Sequence, residues 1–186
     1  VYKRQNLSNV DLSYRDLAGF DLTNADLSGA NLSSADLTGA NLSDATLSRV
    51  NLSGAILTGV KITRSNLNNV DLSDRDLSEF DLSGANLSDA NLSGANLFGT
   101  NLSGAILSRV NLSGATLKGA KLTKSNLSGV DLSSRDLSGF DLANADLSGA
   151  NLSSADLTSA NLSGANFNRT TLKNTKLTST NLSGVS

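Results

Sequence analysis

The sequence predicts an all-β solenoid, a chain wound into a stack of short extended segments joined by turns. Leucine stands at every fifth residue from Leu7 to Leu182, with only Ile62 and Phe167 replacing it, and no insertion breaks the register. A period of five fits neither a helix at 3.6 nor a strand at 2, so the repeat must be a structural unit in its own right. Only 4% of the 186 residues are aromatic, and Trp, Met, Cys and Pro are absent, which argues against a core assembled from varied large side chains. Tyr2 holds the first leucine place, so 37 such units account for nearly the whole chain.

Each unit should be one extended segment and one turn. Counted from two residues before the leucine, the first place is usually Ala or Val, as at Ala25, Ala30 and Val50. This residue and the leucine lie on one face of an extended segment, so both should point inward. The second place is Asn or Asp in 28 of 37 units and Ser or Thr follows the leucine in 29, which suits outward and corner positions where short polar side chains satisfy turn backbone. The last place favours Gly. Gly19, Gly39, Gly59, Gly99, Gly119 and Gly139 should line one corner in type II turns with positive φ.

Stretches such as Ala25-Asp26-Leu27-Ser28-Gly29 and Ala30-Asn31-Leu32-Ser33-Ser34 resemble the pentapeptide repeat family, whose consensus is Ala-(Asp/Asn)-Leu-x-x. The resemblance covers the entire chain. It implies a right-handed quadrilateral β-helix with four units per square coil, hence a single domain over residues 1–186 of about nine coils. At the usual strand spacing of about 4.8 Å this makes a rod roughly 45 Å long.

A longer period overlies the first. The segment from Gln5 to Leu22 recurs from Ser65 to Leu82 and from Ser125 to Leu142, an interval of 60 residues. These super-repeats, starting near residues 5, 65 and 125, would return equivalent residues to one face of the rod every three coils. Within them Arg15, Arg75 and Arg135 occupy an inward place, and Phe20, Phe80 and Phe140 the corresponding place on the next face. An inward Arg without partners would cost several kcal/mol, roughly, so compensation is required. Each Arg is then either a structural feature, bonded to carbonyls and to Gln5, Ser65 or Ser125 or bulged outward, or part of a distortion that presents Arg and Phe as a repeated docking site. Room exists, because the adjoining inward residues on that face are Ala35, Ala55, Ala95, Ala115 and Ala155.

Charge has the same period. Asp11, Asp16 and Asp21 recur as Asp71, Asp76 and Asp81 and as Asp131, Asp136 and Asp141, and coil stacking would set Lys61 beside Asp81, Lys121 beside Asp141 and Arg109 beside Asp89. A surface ladder of ion pairs is expected. With a net charge of -2 and only Tyr14 and Phe98 as outward aromatics, no basic stripe suits nucleic acid. No apolar run reaches membrane-spanning or signal-peptide length.

Catalysis is not expected. The chain has no His and no Cys, and no Ser has an identifiable activating partner. Asp74 and Asp76 lack calcium-loop spacing, so no metal, cofactor or small-molecule substrate is implied. Near the end, Thr171 to Leu177 resembles Thr116 to Leu122 at an offset of 55, as though one unit were missing, which would rotate the remaining units by a quarter turn. The opening Val and the absence of charged caps suggest a window on a longer array, with ends disposed to stack.

Two functions remain. The first is a non-enzymatic structural or protein-interaction scaffold, a filament or spacer segment associating end to end with protein partners. The second comes from the family resemblance, since some members look like duplex DNA to DNA gyrase and modulate it. Those members are strongly acidic, dimerise through a C-terminal element and often carry a projecting loop, and this chain departs from all three features.

Overall fold

The computed structural model describes residues 5–186, so Val1 and Tyr2 lie outside the described residues. Backbone pairing is parallel and joins residues 20 apart, from Asn6 with Asp26 to Asn161 with Asn181. Four units therefore complete one turn of a β-solenoid. We number its faces by their leucines: the first carries Leu7, Leu27 and Leu47, the second Leu12 and Leu32, the third Leu17 and Leu37, and the fourth Leu22 and Leu42, each continuing at the same interval.

The inward register obeys the sequence pattern. Leu27, Leu32, Leu37 and Leu42 are completely buried, as are Ala30, Ala35 and Ala40. Each such Leu contributes roughly 2 kcal/mol relative to exposure. Inward hydroxyls find partners in the stack: buried Ser65 donates to the Leu42 carbonyl at 2.6 Å and buried Thr100 to that of Leu77 at 2.8 Å.

The turns are more uniform than their sequences. In nearly all of them the N–H three residues after the leucine donates back to its carbonyl, as Ala25 does to Leu22 at 3.0 Å. The residue before that donor has positive φ throughout, at Gly19, Gly39, Gly59, Gly99, Gly119 and Gly139 but equally at Tyr14, Arg64 and Glu79. Positive φ is thus set by the unit, not confined to a glycine corner. A non-glycine residue there costs about 1–2 kcal/mol. The second-place carboxylate or amide offsets this by accepting the N–H two residues on, as Asp26 does from Ser28 at 3.0 Å.

Outward side chains also stack. Asn31 donates its amide to Asp11 at 3.1 Å and Asn51 to Asn31 at 3.0 Å. Ion pairs join Arg64 to Asp44, Arg109 to Asp89 and Lys176 to Asp156, all one coil apart. The pairs expected between Lys61 and Asp81 and between Lys121 and Asp141 are absent, because the coils that carry them separate on that face.

Candidate functional site

Arg75, Phe80, Arg135 and Phe140 stand where this separation occurs. Between coils 25–44 and 45–64 the backbone ladder is continuous: Leu32, Leu37 and Leu42 donate to Asn51, Ile56 and Lys61, and these three donate back to Ala30, Ala35 and Ala40. Between coils 45–64 and 65–84 every one of the equivalent bonds is missing on the second, third and fourth faces. The same gap recurs between coils 105–124 and 125–144. On the first face pairing runs on through Thr46, Asn66 and Asn86, and through Ile106, Asn126 and Asp146.

Large side chains mark the position of the gap, on their lower side only, since Arg75 and Phe80 also adjoin Ala95 and Thr100 in the coil above, where the ladder is intact. Arg75 lies above Ala55 and Phe80 above Val60, so two large inward groups meet a coil built for small ones. The side chains of Asp76 and Asp81 have no N–H with which to extend the outward amide ladder downward, but carboxylates alone do not open it, since Asp36 pairs normally with Asp16. The wedge is therefore the arginine and the phenylalanine. Each is half-buried, and the leucine beneath, Leu57, keeps 9% exposure where Leu97, in a fully paired coil, has none.

The guanidinium replaces part of what is lost. Arg75 donates Nη2 to the Ala55 carbonyl, the acceptor that an Asp76 N–H would otherwise meet, and Arg135 donates Nη1 to Ala115 at 2.9 Å and Nη2 to Leu112. Carbonyls were among the expected partners, but Ser65 and Ser125 are not involved. Their hydroxyls donate to Leu42 and to Leu122, because each is buried on the first face where the stack stays closed. Clefts remain beside the arginines. One of about 480 Å³ is lined by Ile56, Thr58, Asp74, Arg75 and Phe80, and two of about 380 Å³ flank Arg135.

Arg15 and Phe20 hold the same places in the first described coil, with no described coil beneath them. Arg15 is exposed and Phe20 is 46% exposed, while the coil above pairs with theirs on every face. Hydrogen bonds from Ser13, Ser73 and Ser133 hold Asp11, Asp71 and Asp131 below the usual carboxylate range. Tyr14 and Phe98 project outward as expected, at 81% and 46% exposure. Among the described residues no group of three or more acidic side chains could hold a metal ion.

The sequence flagged these six residues as inward and oversized. It missed the opening itself, for which the only available signal was the coincidence of Arg or Phe with Ala or Val one coil earlier.

A family model described as pentapeptide repeats matches residues 6–44, 35–74, 65–104, 95–133, 125–164 and 150–186. A search of curated proteins finds no match. Among solved structures, the chain is similar to HetL, a pentapeptide repeat protein involved in heterocyst differentiation regulation from the cyanobacterium Nostoc sp. strain PCC 7120. Identity is 32% over 98% of this chain and 89% of HetL, with a TM-score of 0.47. Rfr23 from the cyanobacterium Cyanothece 51142 is 39% identical over 54% of this chain and 62% of its own, with a TM-score of 0.29. A trypsin-treated form of QnrB1, a plasmid-mediated fluoroquinolone resistance protein, is 18% identical over 90% of this chain and 86% of its own, with a TM-score of 0.45.

Proposed function

The chain belongs to the pentapeptide repeat family, and from that premise we propose that it is a non-catalytic rod of about nine right-handed coils that works by protein contact, stacking through its ends. The rod is one domain built from three-coil units starting near residues 5, 65 and 125. The observation that carries the reading is the reuse of one coil surface. The lower face bearing Arg75 and Phe80 rests on a preceding coil, as does the face bearing Arg135 and Phe140, whereas Arg15 and Phe20, with no described coil beneath them, carry the same chemistry exposed. A surface that docks twice within the chain is suited to dock a third time, on another copy or on a further stretch of the same array. The last coil offers a counterpart, with Leu172, Leu177 and Leu182 at 36–39% exposure.

Sedimentation of the 186-residue protein across a wide concentration range, with electron microscopy at the upper end, tests this. Concentration-dependent rods are expected. Strictly monomeric sedimentation of a folded protein would rule out stacking. A DNA-mimic action on gyrase is the competing reading, and charge weighs against it, since Arg64 neutralises Asp44 and Arg109 neutralises Asp89 where a mimic needs a continuous acidic stripe. The likeness to QnrB1 does not carry fluoroquinolone resistance to this chain. Inhibition of supercoiling at micromolar protein would reverse the choice.

A further inference from the structure

We propose that the two junctions are hinges about which adjoining three-coil blocks rock, with the first face as the axis. A ladder broken on all faces would be a fracture. Here pairing stops on three adjacent faces and continues on the first, through Thr46, Asn66 and Asn86. At the first junction the closed side is also pinned from within, by Ser65 Oγ donating to Leu42 at 2.6 Å, and its corners hold through Arg49 to Asn68 at 3.2 Å and Arg64 to Ser83 at 2.9 Å; at the second, where Ser125 donates within its own turn to Leu122, the corners hold through Arg109 to Ser128 at 3.1 Å and Lys124 to Ala143 at 2.9 Å. Three open sides opposite one bonded side constitute a hinge.

Both lips of the opening carry complementary groups. Leu52, Leu57 and Ile62 supply N–H groups on the lower lip and Asp71, Asp76 and Asp81 supply them on the upper, each with a carbonyl opposite at the place where other coils bond, that of Ala55 opposite Asp76 being held by Arg75. Such groups need partners, and the clefts of about 480 and 380 Å³ are roomy and polar enough for water to serve. Closing exchanges water for ladder bonds, while opening relieves Arg75 and Phe80 of their fit against Ala55 and Val60. The two terms oppose, so the junction can move where the interior of a block cannot. The hinge is a property of the isolated chain and does not depend on end stacking.

Amide hydrogen exchange on the intact protein tests the proposal. The amides of Leu52, Leu57, Ile62, Asp71, Asp76 and Asp81 are expected to exchange at least about 100-fold faster than those of Leu92 and Leu97 inside a block, with Leu47 and Leu67 on the first face still protected. Uniform protection across the junction would overturn the hinge, as would loss of protection on the first face too. Replacing Arg75→Ala together with Phe80→Ala, residues already used at the equivalent places in paired coils, should restore protection at the first junction and leave Leu112, Leu117 and Leu122 at the second unchanged. If the double variant folds and its junction still exchanges fast, the wedge is not the cause and the proposal fails. If it does not fold, the exchange pattern of the unaltered protein decides.

Discussion

Arg109 and Asp89, one coil apart on a corner of the rod, form a two-pronged ion pair, with Nε to Oδ1 at 2.8 Å and Nη2 to Oδ2 at 2.7 Å. Both residues sit at positive φ, at 55° and 59°, which aims their side chains along the stack. The fork holds Asp89 below its ordinary pKa and Arg109 above its own.

Because both groups are solvated, the pair is worth little to stability. Asp89→Asn should lower the melting temperature by no more than roughly 2 °C at low salt, and the difference should vanish near 1 M salt. Thermal melts at two ionic strengths check this, and a loss insensitive to salt would point to a packing role instead.

Leu92 is completely buried in the middle of a fully bonded block. Leu92→Ala should cost about 2–5 kcal/mol, through lost burial and the cavity left behind. Its neighbour Ser93 points outward, bonding to Asn91 at 2.8 Å, and Ser93→Ala should cost about 1 kcal/mol or less. Denaturant midpoints of the two variants should differ clearly. Equal shifts would mean that the inward register is misassigned.

The left-handed corner can be tested in both directions. Gly119 has φ of 77°, and an added Cβ would meet only ordinary packing distances to Gly99, 3.5 Å to its nitrogen and 3.7 Å to its Cα. Gly119→Ala should therefore lose about 1–2 kcal/mol through backbone conformation alone. Ser134, at 58°, is the converse, and Ser134→Gly should gain up to about 1 kcal/mol. Destabilisation by both changes would contradict a positive-φ requirement.

Acid should unfold the rod through its aspartates. Asp156 is lowered to about 2, chiefly by hydrogen bonds from the Thr158 side chain and backbone and then from Lys176, and Asp26, Asp36 and Asp76 are lowered by their own turn bonds. Folded pKa values below the unfolded 3.8 mean that this stabilisation is complete above that pH and is lost as pH falls towards 2. Melting temperature should be level from neutrality to about pH 5 and then drop steeply. A drop centred near pH 6 would implicate other groups.

The solenoid was readable because Leu27 and its equivalents repeat without interruption, and a buried ladder leaves few ways to satisfy that pattern. The turn was only half readable. Glycine at positions such as Gly39 signals positive φ, yet Arg64 and Tyr14 adopt it too, because closing the turn and joining the ladder outweigh a side chain's own preference. Arg75 and Phe80 were visible as inward and oversized, but their effect depends on which coil adjoins them. Arg15 sits in nearly the same sequence context as Arg75, yet only Arg75 has a described coil beneath it. Local sequence gives the size of a wedge; the stack decides what it separates, which is why Lys61 and Asp81 fail to pair.

The twenty-residue pitch also governs how such a chain can be inherited. Replication slippage that adds or removes whole coils preserves every side chain's compass bearing and alters only length. Slippage by a single unit keeps a leucine at every inward place but turns everything downstream to face another direction and brings inward groups such as Arg75 over different neighbours. A partner that reads one side of the rod registers the turn at every downstream residue, the core only where a large inward group is displaced. The bearing of each side chain is therefore the heritable trait through which partners could shape this gene.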